Sequence, residues 1–271
     1  MMPKARSLLS AATLLTVVLA FPASSEAIDV GHVVQASGNQ IEQTTIVVKR
    51  LSDGQTWTHN NKRAQQRFSP ASTSKIPHTL IALEYGLATS DSLFRWDGSP
   101  RSVRAWNQDQ TLASAFQNSA VWVYQDITRT AGSETMSEGL GSIDYGNANV
   151  GSLDQSTTYW LDDTLKISAI EQVEFLSKLA LERLPLSQTT YSAARDIMVS
   201  DRNETWVMRS KTGWRHSDEN TDVGWYVGWL ECPDDDYVFA MNIDMPDTRY
   251  LSKREDISYS VLHDIGAFDC D

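Results

Sequence analysis

The stretch Thr205–Asp244 reads TWVMRSKTGWRHSDENTDVGWYVGWLECPDDDYVFAMNID, and its alternation of apolar runs and breakers sets the architecture. Three runs rich in β-branched and aromatic residues, Thr205 to Trp214, Val223 to Glu231 and Tyr237 to Asp244, read as strands. Pro233-Asp234-Asp235-Asp236 is a turn cluster that folds the last two back on each other. A second pair of strand signals lies far upstream, where Thr44 to Arg50 and Gln55 to His59 flank the turn Ser52-Asp53-Gly54. Between these blocks the pattern is helical, most clearly from Ala169 to Leu184, with Gly-, Asn- and Ser-rich stretches such as Gly139 to Ser156 read as loops. Ser252 to Phe268 closes the chain as a helix. The expectation is a mixed α+β fold: a central antiparallel sheet built from both ends of the chain, flanking helices, and a mostly helical lobe inserted at about 87–194.

Residues 1–27 stand apart from that body. Lys4 and Arg6 precede an apolar run from Leu8 to Ala20, and small residues end at Ser25-Glu26-Ala27, the pattern of a cleaved signal peptide. The run is shorter than the ~20 residues a membrane-spanning helix needs, so no stable membrane anchor is expected. Residues 28–271 then form one domain. A formal net charge of −12 argues against a phosphate backbone or an anionic membrane as partner and suits a small-molecule substrate. The chain does not reveal its oligomeric state. Cys232 and Cys270 are its two cysteines; an oxidising destination allows a disulfide between them, and two buried free thiols is the other reading. His32, His59, His78, His216 and His263 are scattered without HExxH or paired-ligand spacing, so no metal is expected.

Chemistry concentrates where Pro70 introduces a new pattern. Ile76, Leu80, Leu83 and Leu87 recur at helical spacing, which places a helix start near Ser72, with Pro77 tolerable in its first turn. Ser72-Thr73-Ser74-Lys75 is an S-x-x-K element whose i, i+3 spacing brings a hydroxyl and an amine to one face. A serine hydroxyl needs an adjacent base to act as a nucleophile. Alone, the motif is matched by an N-cap serine and a solvent lysine. Lys211-Thr212-Gly213, at the end of a strand, adds positive charge, a hydroxyl for a carboxylate and a backbone that a ligand can approach closely. S-x-x-K early with K-T-G on a late strand is the pattern of penicillin-recognising serine enzymes.

The intervening motifs narrow the family. Ser119-Ala120-Val121 stands where class A enzymes carry S-D-N; Tyr145-Gly146-Asn147, Tyr159-Trp160-Leu161 and the run Val223 to Glu231 after K-T-G-W follow in order. This resembles the class D, oxacillinase-type serine β-lactamases over nearly all of residues 28–271. The resemblance implies the β-lactamase/transpeptidase-like fold, a location in the periplasm after export, and hydrolysis of the β-lactam amide of penicillins and some other β-lactams through an acyl-enzyme on Ser72. It implies that Lys75 is the general base after carbon dioxide adds to it, giving N6-carboxylysine, with carbon dioxide or bicarbonate as its source and no separately bound cofactor. Independently, no E-x-x-x-N loop is found that could position a hydrolytic water, so another group must activate it. An apolar pocket lowers a lysine pKa and leaves an amine able to attack carbon dioxide. By matching position, the Trp160 indole N–H holds the carbamate and Val121 supplies an apolar wall. Ser119 bridges Lys75 and Lys211 and passes a proton to the leaving nitrogen. Backbone N–H groups of Ser72 and Trp214 form the oxyanion hole, and Arg254 with Thr212 holds the substrate carboxylate.

The Asn149 to Tyr159 loop is longer than expected for the family, and Tyr124 and Trp106 place large aromatics near the pocket, which bears on substrate range. The rival readings are a β-lactam receptor or sensor domain, or a penicillin-binding peptidase, either of which acylates without fast turnover.

Overall fold

A computed structural model of the chain describes residues 26–38, 41–217 and 221–270. Residues 1–25, on which the expected signal peptide falls, lie outside them. The body opens with strand β1 (Ile28–Asp29) and helix α1 (Gly31–Ala36). The hairpin read around Ser52-Asp53-Gly54 forms from β2 (Thr44–Arg50) and β3 (Thr56–His59). After α2 (Asn61–Ala64), a 3-10 turn, Ala71–Ser74, runs directly into α3 (Lys75–Glu84). A small pair, β4 (Leu93–Phe94) and β5 (Gln110–Thr111), precedes α4 (Leu112–Gln117), α5 (Val121–Ser142), α6 (Ala169–Ala180) and α7 (Gln188–Ile197). The chain then returns to the sheet as β6 (Val199–Arg202), β7 (Val207–Arg215), β8 (Asp222–Glu231) and β9 (Asp236–Met245), and α8 (Lys253–Asp264) follows.

The seven-stranded sheet has the order β1-β3-β2-β9-β8-β7-β6, so strands from the two ends of the chain meet at β2 and β9. The expectation of a purely antiparallel sheet needs one correction: β1 pairs with β3 in parallel, because the chain passes through α1 and crosses back before β2 and β3 form. The interior strand β8 is buried through its eight inner residues, Val223 to Leu230. Side chains alternate across a strand. Trp225, Val227 and Trp229 therefore face the core shared with α3, α5 and α6, while Tyr226 and Leu230 pack with Ile257, Val261 and Leu262 of α8. Both faces being covered, the strand reads as an unbroken apolar run, as its sequence does.

Local chemistry moved several boundaries. The β7 strand begins at Val207 because the Asn203 side chain accepts from the backbone N–H groups of Thr205 and Trp206, diverting them from the ladder. Gly139, read as opening a loop, lies inside α5, where a Cβ would meet Ile81 Cγ1 at 2.7 Å; the glycine permits close packing of α5 on α3. Helix α5 itself is broken at Gly132, whose φ of 77° is non-helical. Cys232, just after β8, and Cys270 are joined as a disulfide with their Cα atoms 5.5 Å apart. Among the described residues no helix is long and apolar enough to cross a membrane.

Candidate active site

The turn Ala71–Ser74 is pinned from several directions. Ala71 N–H and Ser69 Oγ both donate to the carbonyl of Trp160, at 3.1 and 2.7 Å. Trp225 Nε1 donates to Ser69 O at 2.9 Å, and Phe68 pairs with Ile167. Ala71 adopts φ 47°, a left-handed conformation that is strained for a residue with a Cβ and holds only where the surroundings enforce it. Ser72 follows at once. Strain directly beside a candidate nucleophile is a usual mark of a site whose geometry is over-determined.

Lys75 opens α3 and is fully buried, and its Nζ lies 2.9 Å from Ser72 Oγ. The ring of Tyr124, on α5, sits 5.2 Å from Nζ. Burial, with the nearby charge of Lys211 adding to it, pushes the Lys75 amine well below the ordinary lysine range and favours its neutral form. Pro77 falls in the first turn of α3, where the missing N–H costs no hydrogen bond. Trp160 is buried, and its indole Nε1 has no hydrogen-bond partner among the described residues. It packs edge-on against His78, with ring centroids 4.8 Å apart.

Strand β7 forms the opposite wall. A Cβ on Gly213 would meet Pro70 O at 2.9 Å, Thr73 Cγ2 at 3.0 Å and Trp225 Cβ at 3.1 Å, so only glycine lets the K-T-G strand lie against the turn that carries Ser72. Lys211 is buried, and its Nζ contacts Thr212 O at 3.2 Å and lies 5.8 Å from the Phe116 ring. Burial first, and the charge of Arg254 second, lower its pKa to about 8. Arg254, in the first turn of α8, donates from Nη1 to Gly213 O and from Nε to Leu251 O, both at 2.7 Å. Thr212 is half-buried beside Lys211, and the exposed Trp214 turns its indole to Asp222, 2.6 Å away.

Ser119 lies on the turn between α4 and α5, with φ 54°. The two helices it joins each carry a ring to one lysine: Phe116 on α4 stands over Lys211, and Tyr124 on α5 over Lys75. Its hydroxyl makes no hydrogen bond with a described residue, so the bridge between Lys75 and Lys211 is not closed by direct contact. Trp106 buttresses this turn by donating from Nε1 to Asn118 O at 2.8 Å. Val121 begins α5 and is half-buried.

Two groups escaped the sequence reading. His78, one turn after Lys75, bonds the Tyr159 hydroxyl at 2.8 Å, and burial holds its pKa down at about 3, so it is a neutral brace beneath Trp160. Its i+3 spacing from Lys75 was the available signal. Gln172 on α6 reaches Thr73 and Tyr145. A lone polar residue on the apolar face of that helix could have pointed to it.

Residues 28–265 match the penicillin binding protein transpeptidase domain. The chain is 42% identical to β-lactamase OXA-20 of Pseudomonas aeruginosa over 227 residues, 82% of this chain and 83% of that one. It is 40% identical to β-lactamase OXA-48 of Klebsiella pneumoniae over 222 residues, 81% and 82% of the two chains. Among solved structures, the class D β-lactamase YbXI from Nostoc superposes with a TM-score of 0.84 at 35% identity, covering 88% of this chain and 99% of that one. FUS-1 (OXA-85), a class D β-lactamase of Fusobacterium nucleatum subsp. polymorphum, gives a TM-score of 0.82 at 35% identity, covering 86% and 96%.

Proposed function

The chain belongs to the class D β-lactamases, enzymes that hydrolyse β-lactams, and from that premise we propose that it opens penicillins through an acyl-enzyme on Ser72 with a carboxylated Lys75 as general base. The observation that carries this reading is the environment of Lys75: a buried amine 2.9 Å from Ser72 Oγ whose pKa burial pushes well below the ordinary lysine range, with His78, one turn on, packed against Trp160, whose buried indole N–H no described residue satisfies.

A neutral Nζ attacks the carbon of carbon dioxide and loses a proton to water, leaving an anionic carbamate. That group supplies a base, and the Trp160 Nε1 donor fits one of its oxygens, since an unpaired buried donor is costly and a charged acceptor would offset the cost. Ser72 Oγ then bonds to the lactam carbonyl carbon while its proton goes to the base. Backbone N–H groups of Ser72 and Trp214 serve the developing oxyanion, each worth about 3 kcal/mol in comparable hydrolases. The carbon–nitrogen bond breaks, and Ser119 delivers the proton to the leaving nitrogen. In the second half a water, deprotonated by the same base, attacks the ester and frees Ser72. Arg254 and Thr212 hold the substrate carboxylate, and Val121 walls the pocket.

Residues 1–27 act as an export leader and the enzyme works in the periplasm, a setting the Cys232–Cys270 bridge suits. The test is turnover of benzylpenicillin by the purified protein, with intact-mass analysis of two variants. Ser72→Ala should give neither turnover nor adduct; Lys75→Ala should give at most a trapped adduct. Steady turnover by Ser72→Ala would overturn the mechanism, and acylation without turnover by the unaltered protein would favour a receptor.

A further inference from the structure

Helix α6 runs behind the nucleophile, and its Gln172 is fully buried on the stripe that continues through Leu176 and Leu179. The Nε2 amide donates to Thr73 Oγ1 at 3.0 Å and to the Tyr145 hydroxyl at 3.3 Å. Thr73 Oγ1 donates in turn to Pro70 O at 2.8 Å, closing the turn that carries Ser72. Pro70 O is also the atom nearest a Cβ on Gly213, so this one carbonyl sits where the nucleophile's turn meets the K-T-G strand.

Gln172 Oε1 is buried and accepts no hydrogen bond from the described residues. An unpaired buried acceptor is destabilising, and a methionine of similar size would fill the space without that cost. On stability alone glutamine is therefore a poor choice. What the amide provides that a thioether lacks is a pair of N–H donors aimed at Thr73 and Tyr145.

We propose that Gln172 is a positioning residue for acylation: through Thr73 it holds the Ser72 turn in register with the K-T-G strand. The proposal rests on Ser72 being the nucleophile. Gln172 touches no reacting atom, and its influence passes through the Thr73 hydroxyl.

The experiment is rapid-quench mass spectrometry of acylation by benzylpenicillin, with saturation of the rate giving binding and chemistry separately. Gln172→Met should slow the saturating acylation rate on the order of 10-fold, since a small misplacement of a reacting group is costly, while half-saturation moves less than about two-fold. Thr73→Val should do the same, Thr73→Ser should keep at least about half the rate, and Gln172→Met with Thr73→Val should be no slower than either alone, because one chain of contacts is broken once. Additive losses, a Thr73→Val rate like the unaltered enzyme's, or a Gln172→Met protein that loses only Tm would each overturn the positioning role. Should Gln172→Met fail to fold, the contrast between Thr73→Val and Thr73→Ser decides in the same way. Acylation of the unaltered enzyme anywhere but Ser72 would instead overturn the reading of the site, and the proposal with it.

Discussion

Arg254 Nη1 donates to the carbonyl of Gly213 at 2.7 Å, tying the first turn of α8 to the strand that carries Lys211 and Thr212. With Nε committed to Leu251 O, the guanidinium is held in one orientation, and its aliphatic stem lies against Gly224. Its charge also lowers the pKa of Lys211, so the two cations share one field. A carboxylate entering that field meets a planar fork already in place.

Replacing the arginine separates this role from catalysis. Arg254→Ala should raise KM for a carboxylate-bearing penicillin on the order of 10-fold with kcat changed far less, because a lost charge-assisted hydrogen bond is worth about 1.5–3 kcal/mol. A methyl ester of the same penicillin should show almost no difference between the two proteins. Steady-state kinetics on both substrates checks this, and equal losses on acid and ester would assign Arg254 a purely structural part.

Gly213→Ala tests the close approach of β7 to the Ser72 turn. The new methyl would press on Pro70 O, Thr73 Cγ2 and Trp225 Cβ, two of which belong to backbone or a buried ring system that cannot swing away. We expect a stability loss of about 1–3 kcal/mol from overpacking, and a fall in kcat/KM on the order of 100-fold from displacement of Ser72. Denaturant titration and penicillin turnover measure the two effects independently.

Trp160→Phe keeps an aromatic ring against His78 and removes only the N–H. Since that N–H has no partner among the described residues, Tm should stay level or rise slightly. The bicarbonate concentration for half-maximal activity should rise on the order of 10-fold, the worth of one hydrogen bond to a charged group. An unchanged bicarbonate requirement would mean that Trp160 does not hold the carbamate.

Lys75 sets a stability cost with a definite pH dependence. Burial holds the Lys75 pKa in the folded protein well below its unfolded value, so folding is penalised wherever the unfolded lysine is still protonated. Lys75→Met should therefore raise Tm at pH 7 in buffer free of carbon dioxide, by roughly 3–6 °C if the relief is about 1–2 kcal/mol. The gap should narrow as pH climbs toward 10.5, where the unfolded lysine loses its proton too. Lys211, at about 8, adds the same trend, making both proteins more stable between pH 8 and 10.5. Calorimetry across that range gives the sign directly, and a gap that widened with pH would contradict it.

How much of this was legible in the sequence depended on how local the cause was. The hairpin at Ser52-Asp53-Gly54 and the buried run of β8 declare themselves because a turn and a strand are set by neighbouring residues. The contact of Ser72 with Lys75 is the one the i, i+3 spacing predicts, while their candidacy, like that of Trp160 in Y-W-L, came from the order of the motifs. The parallel pairing of β1, two residues long, leaves no pattern to read. The glycine at 139 misled because a helix-packing contact looks like a loop signal until Ile81 is seen beside it. Gln172 stayed hidden for a different reason: its partners lie 99 and 27 residues away, and only tertiary contact gives its amide a purpose.

The state of Lys75 is the centre of the mechanism, and carbon-13 NMR of the protein equilibrated with labelled bicarbonate observes it without relying on turnover. A carbamate resonance should appear, vanish in Lys75→Ala, and weaken on acidification in step with the loss of penicillinase activity. Full activity with no such resonance would show that another base serves Ser72.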